Sequence, residues 1–233
     1  MPRWDPRPEW SGEDAYVLGG GDSLRHFSWD LIRGQPTIGC NSNFILGHEI
    51  VEIAIFGDIL WWERIGRLGT TDARILDKLE GDRLYHARYG LQAFGGRVVG
   101  TTPRLYNNTC PWLLTMARHG TAGLASPGTG ALAWAGNTGC AAVNLALTLG
   151  ARRVYLLGFD MHLGKSNGKS NWHDVRYEAD KASVYQKFCR EFEHISRTLP
   201  IVFPGREIWN VTDDSNLNVF PKVSLAEHFA QRK

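Results

Sequence analysis

The chain has 233 residues, 43% of them hydrophobic and 21% charged, with a formal net charge of +2. That length supports one sizeable domain without disulfide or metal staples, and acidic residues interleave with basic ones, as from Asp72 to Arg88, which argues against a dedicated nucleic-acid binder. No apolar run reaches the roughly 18 residues of a membrane span, the start MPRWDPRPEW is no signal peptide, and Cys40, Cys110, Cys140 and Cys189 show no CxxC pair, so a reduced protein located in the cytoplasm is expected.

The first 14 residues, rich in Pro, Trp and charge, read as an extended arm ahead of one domain over 15–233. Ala15 to Leu18 is a short apolar strand. Gly19, Gly20, Gly21, Asp22 and Ser23 follow it directly, and glycines after a strand permit a tight turn in which backbone amides approach phosphate. The turn is neither a Walker A loop, lacking GK[ST], nor a full GxGxxG fingerprint, since Leu24 stands where the third glycine belongs. Phe27 to Ile32 is expected as a short helix. Thr37 to Cys40 is a second strand ending at Asn41, whose amide either contacts a base or ribose or only builds a turn with Asn43. Ile53 to Phe56 is a third strand, closing on Gly57 and Asp58.

A charged helix is expected over Asp72 to Leu79, then strands near Leu84 to His86 and at Val98-Val99. The Gly- and Pro-rich segment Thr101 to Ala135 is the place for lid or acceptor contacts. Asn137, Thr138 and Gly139 cap a helix whose apolar positions Ala142, Val143, Ala146 and Leu149 share a face before Gly150 stops it. Val154 to Leu157 is a buried strand that delivers Asp160 to its carboxyl end, where ligands bind in open α/β sheets. The amides opening the Thr138 helix suit an anionic group.

The polar stretch after Asp160 reads as a small lid over about 161–176, with His173 near its close as a candidate general base. A long amphipathic helix is expected from Tyr177 to Thr198, strands at Ile201 to Phe203 and Ile208 to Val211, and a closing helix from Ser224. The nine tryptophans, including Trp61-Trp62, fit core packing better than a stacking platform. Alternating strands and helices with Gly-rich strand ends give the fold class: α/β, a single Rossmann-like domain with a mostly parallel sheet flanked by helices.

The glycine turn with Ser23-Leu24, Cys40-Asn41, Asn137-Thr138-Gly139, Tyr155 to Asp160, a histidine after the lid, and Asn210 to Leu217 before a Phe-Pro-x-Val-x-Leu ending form an ordered set. On these residues the chain resembles the bacterial sialyltransferase-like superfamily and the related hydroxymethylpterin pyrophosphokinase-like proteins of phage and prophage genomes. The resemblance implies a transferase, an inverting glycosyltransferase with a CMP-sugar-like donor and no resident cofactor. It makes His173 the base and Gly19, Gly20, Gly21, Asp22, Ser23, Asn41, Asp58, Asn137, Thr138, Gly139 and Asp160 the donor site. Asp22 stands where the family has proline, and the lid lacks the tyrosine pair that assists phosphate departure there; Tyr177 or Trp172 could take that part. The pyrophosphokinase-like alternative uses ATP, with Asp22, Asp58 or Asp160 holding Mg²⁺. A third reading is a nucleotide-binding module without turnover. The acceptor is left open between a glycan and a modified nucleic acid. A homo-oligomer is compatible, no membrane partner is expected, and a phage-encoded chain would work in the host cytoplasm.

Overall fold

The structure, a computed structural model, describes residues 4–102, 110–134, 136–175 and 182–230. Its strands are β1 (Asp14–Leu18), β2 (Thr37–Cys40), β3 (Ile53–Phe56), β4 (Arg97–Gly100), β5 (Leu113–Thr115), β6 (Ala117–Arg118), β7 (Ala131–Leu132), β8 (Arg153–Leu157) and β9 (Glu207–Asn210). Among the described residues seven of them form one sheet in the order β5-β4-β3-β2-β1-β8-β9, every neighbouring pair parallel, while β6 and β7 pair separately. The protein is therefore a parallel α/β fold. Strand order runs outward from β1 on one side and restarts at β8 on the other. This leaves a crevice between β1 and β8, the switch point at which such sheets bind ligands.

The central strands are apolar on both faces because both are covered. Ala15 and Val17 of β1 face one core with Ile53, Ile55, Val154 and Leu156, while Tyr16 and Leu18 face the other with Ala54, Phe56, Tyr155 and Leu157. Successive side chains of a strand point to opposite faces, so a run of branched residues feeds two cores at once. The first core is closed by α4 (Thr138–Thr148), every residue of which from Gly139 onward is buried, and by the amphipathic α5 (Tyr185–Val202). The second is closed by α1 (Ile59–Trp61), α3 (Gly81–Tyr89), α6 (Leu225–Ala230) and 3₁₀ turns, with Trp61 and Trp62 each 3% exposed. Those tryptophans are packing residues: Trp62 stacks on Phe56 at 5.0 Å between centroids. The arm lies along the first core, with the backbone amide of buried Trp10 donating to the Leu149 carbonyl at 2.7 Å.

Several sequence expectations change. Leu84 to His86 is not a strand but the middle of α3, and Ile201 to Phe203 is not a strand but the end of α5 and its cap, with Ile201 78% exposed. The charged helix shrinks to α2 (Ala73–Leu76), capped by Asp72 through the Arg74 amide. In place of the helix expected over Phe27 to Ile32 there is one 3₁₀ turn, Trp29–Ile32, and another, Asp22–His26, precedes it. The start of the long helix at Tyr177 falls outside the described residues. No helix among them is long and apolar enough to cross a membrane.

Candidate functional site

The ends of β1, β2, β3 and β8 and the start of α4 surround a cavity of about 860 Å³. Every sequence-predicted site residue lines it except Asp22 and Ser23. The paired strands β1 and β8 run in register to Leu18 and Leu157, which sets Gly19 beside Gly158. The Gly19 amide donates to the Leu157 carbonyl at 2.8 Å and the Gly21 amide to the Gly158 carbonyl at 2.9 Å.

Each glycine of the turn admits a particular neighbour. A Cβ on Gly19 would lie 2.3 Å from the Gly158 carbonyl oxygen, one on Gly20 2.3 Å from the Asn171 side chain, and one on Gly21 2.1 Å from the Asp160 carboxylate. Close packing of strand end, lid and carboxylate therefore explains all three glycines as well as approach to phosphate does.

Asp160, 3% exposed, accepts both the hydroxyl and the amide of Ser23. Burial raises its carboxyl above the ordinary range, and the Ser23 bonds pull it part of the way back. Asp22 turns away from the cavity to hold Arg25 at 2.6 Å and Asn167 at 3.0 Å. Asp58 caps α1 through the Leu60 amide at 2.8 Å. The three carboxylates considered for a Mg²⁺ ion thus serve separate local jobs, and the described residues contain no group of three His, Cys, Asp or Glu side chains able to hold a metal.

Asn41 and the start of α4 do come together. The Thr138 hydroxyl lies 3.4 Å from Asn41 Oδ1 across 97 positions of sequence. Asn41 adopts φ +52°, a left-handed conformation that asparagine tolerates better than most residues and that recurs at ligand sites. Asn137 caps α4 by accepting the Gly139 amide at 2.8 Å, while its buried Nδ2 has no hydrogen-bond partner among the described residues. That side chain lines the cavity, so a donor is held ready beside the positive end of the helix.

The loop over 161–175 crosses the strand ends. Its Trp172 amide donates to the Gly20 carbonyl at 2.9 Å, and the Trp172 indole donates to Asn43 Oδ1 at 2.9 Å. Asn43 is fully buried, its amide nitrogen 2.9–3.1 Å from the carbonyls of Leu18, Gly19 and Cys40, so it joins two strand ends to the loop. His173 is 6% exposed, packs edge-on against Trp172 at 5.0 Å and lines the cavity. Its neighbour Asp174 is pushed up by burial but held below the ordinary carboxylate range by Lys169 and Lys78.

Among the lining residues that the sequence reading did not single out are His162 and Arg118. His162 stands two positions after Asp160 with Nδ1 2.7 Å from the Leu163 carbonyl and Nε2 3.0 Å from the Asp214 carbonyl. Both ring nitrogens face carbonyl oxygens, an arrangement that favours the doubly protonated ring. Burial opposes that charge, yet the two carbonyls with Asp214 and Asp160 raise its pKa above the usual value. Arg118 comes from the segment least legible in the sequence. Cys40 also lines the cavity, but burial pushes its thiol up to about 12, which leaves it protonated and a poor nucleophile.

The architecture is shared with glycosyltransferases. The fold matches the MAf glycosyltransferase of Magnetospirillum magneticum AMB-1 with a TM-score of 0.55 at 15% identity, over 99% of this chain and 38% of that one. It matches the Campylobacter jejuni sialyltransferase CstII, solved with cytidine-5'-monophosphate, with a TM-score of 0.50 at 11% identity, over 92% of this chain and 86% of that one. A single-residue variant of the sialyltransferase CST-II, in complex with CMP, gives a TM-score of 0.50 at 11% identity, over 91% of this chain and 86% of that one. This chain thus spans under two-fifths of the MAf enzyme and most of the sialyltransferase. No protein-family model and no curated protein sequence matches it.

Proposed function

We propose that this protein is a glycosyltransferase that takes a sugar from a nucleotide-activated donor of the CMP-sugar kind and inverts it in a single displacement. The observation that carries this reading is the convergence of the glycine turn, Asn41, Asn137 to Gly139 and His173 on one cavity at the switch point. The donor phosphate lies at the positive start of α4 and beside the Gly20 amide, which none of the bonds above engages, with Asn137 Nδ2 as a further hydrogen-bond donor. His173 takes the proton of the acceptor hydroxyl as that oxygen attacks the anomeric carbon. The bond from that carbon to phosphate oxygen breaks, and the nucleoside monophosphate leaves with the electron pair. Fixed donors aimed at the growing negative charge stabilise the leaving group, and His162, whose pKa is raised, adds positive charge at the cavity wall when protonated. A neutral imidazole suits the proton transfer.

The pyrophosphokinase-like alternative calls for a carboxylate-bound metal, and the separate engagements of Asp22, Asp58 and Asp160 do not favour it. The test is release of CMP from CMP-sugar donors in the presence of EDTA and a panel of glycan acceptors. Replacing His173 by Ala should cut turnover by about 10² to 10⁴ while CMP affinity holds. A fully active variant removes His173 from the role, and Mg²⁺-dependent release of AMP from ATP would replace the whole reading.

A further inference from the structure

Val184, Tyr185 and Phe188, at the start of α5, line the cavity. Lys187 stands three positions after Val184, a spacing that keeps two residues on one side of a helix. Its side chain reaches the start of α4. A Cβ on Gly136, which lines the cavity one residue ahead of Asn137, would lie 3.0 Å from Lys187 Nζ and 3.8 Å from its Cε. The ammonium comes this close because residue 136 carries no side chain. Among the described residues Lys187 makes no hydrogen bond or ion pair, not even with Glu191 four positions on, where a helical partner would stand.

Three independent features at this place call for negative charge. The 11-residue α4 points its positive end here, the Asn137 side chain is 7% exposed with Nδ2 unpartnered among the described residues, and a lysine is added. Cations are favoured at helix C-termini, so the ammonium stands against the field of α4 until an anion comes between them. We propose that Lys187 is a phosphate-binding residue of the donor site, closing on the phosphate from α5 while α4 and Asn137 Nδ2 hold it from the other side. The inference rests on the glycosyl-transfer reading and adds to it a cation for the leaving group. An ammonium is a point charge with three donors on a flexible stem, so it can follow the phosphate oxygen as its bond to the anomeric carbon lengthens. The lysine keeps its protons throughout; only the phosphate charge grows, from the single charge of a sugar-linked diester toward the double charge of CMP. Lys187 should therefore hold CMP more tightly than the intact donor and act more on turnover than on donor binding.

Calorimetry on the wild type, Lys187→Gln and Lys187→Arg tests it, with CMP and cytidine as probes. Lys187→Gln should weaken CMP about 5- to 30-fold and leave cytidine within about twofold, while Lys187→Arg, which keeps the charge, should stay within about threefold for both. The Lys187 side chain is exposed, so the variants should melt within about 2 °C of the wild type; if the Gln variant melts early, Lys187→Met takes its place. Unchanged CMP affinity in the Gln variant overturns the role of Lys187 alone, as does an equal loss on cytidine, which marks a structural effect, or an Arg variant as weak as Gln. A wild type that binds CMP no better than cytidine overturns it together with the placement of the phosphate at α4. Failure of the wild type to bind CMP at all overturns it together with the transfer reading.

Discussion

Ser23 meets Asp160 twice, its hydroxyl 2.5 Å from Oδ1 and its backbone amide 2.9 Å from Oδ2. The two residues are 137 positions apart, one just past β1 and the other just past β8, so the pair clamps the two sides of the switch-point crevice. Asp160 thus holds the glycine turn in place at the wall of the cavity that it lines. Asp160→Asn removes one of the two acceptors and should cost about 1–2 kcal/mol at neutral pH in urea unfolding. Because burial raises the Asp160 carboxyl, the folded form keeps its proton in a window above the ordinary carboxyl range where the unfolded form has lost it. Rising pH through that window costs the wild type stability and leaves the Asn variant untouched. The variant's deficit should narrow as pH rises; a deficit that widens would remove the argument.

The three glycines of the turn should respond unequally to alanine. Gly19 and Gly21 face backbone oxygen or a clamped carboxylate within 2.3 Å of an added Cβ, whereas Gly20 faces only the tip of the Asn171 side chain. Gly19→Ala and Gly21→Ala should each lose about 1–3 kcal/mol of stability, and Gly20→Ala should stay within about 1 kcal/mol because Asn171 can swing aside. Gly20→Val needs more room and should loosen the loop that Trp172 ties to the Gly20 carbonyl, weakening CMP binding by tenfold or more, about 1.4 kcal/mol. Adding Asn171→Gly to that chain should return much of the affinity, and no rescue would show that the loop is not what the valine disturbs.

The strands β1, β2, β3 and β8 were readable because each is a short run of apolar residues bounded by Gly, Pro, Asn or Asp, and burial on both faces leaves no polar alternation to confuse. The same rule misled at Leu84 to His86, where an apolar and aromatic trio sits on α3 with Tyr85 53% exposed. It misled again at Ile201, because Pro200 reads as a helix stop yet is carried within α5, which ends two residues later. Of the site, the glycine turn, Asn41 and the capped helix were legible from strand-end position alone. Arg118 was not, since its place depends on Trp134 sixteen residues later and on the missing side chain of Gly57. Asp22 looked like a phosphate neighbour because the sequence could not show that Arg25 and Asn167 claim it.

The loop that carries Trp134 depends on one buried amide. Asn144 of α4, fully buried, accepts the Ala125 amide at 2.8 Å and the Ala133 amide at 2.9 Å and donates to the Ala125 carbonyl at 3.1 Å. It fastens the middle of the Gly-rich stretch between β6 and β7, and the residue just after β7, to the helix under the cavity. Asn144→Ala leaves two buried amides without an acceptor and should cost about 2–4 kcal/mol in thermal or urea unfolding. A loss below about 0.5 kcal/mol would mean that the stretch finds another anchor.

His162 gives the site a charge that pH can remove. Its carbonyl partners and the Asp214 and Asp160 carboxylates hold the imidazolium above its ordinary pKa, while Lys165 pairs with the same Asp214 at 2.8 Å. The charge is therefore present below the usual histidine value and is lost as pH climbs past the raised one. If it faces the leaving phosphate, CMP affinity should be highest at low pH within the stable range and fall by about 1 kcal/mol, roughly fivefold, as the ring deprotonates. The phosphate of CMP loses its own second proton near pH 6, which strengthens its charge in the opposite direction. Comparison with His162→Gln isolates the ring: the variant should lack the fall at high pH and bind CMP more weakly than the wild type at pH 6. Parallel profiles for the two proteins, with equal affinities throughout, would show that the His162 charge does not reach the nucleotide.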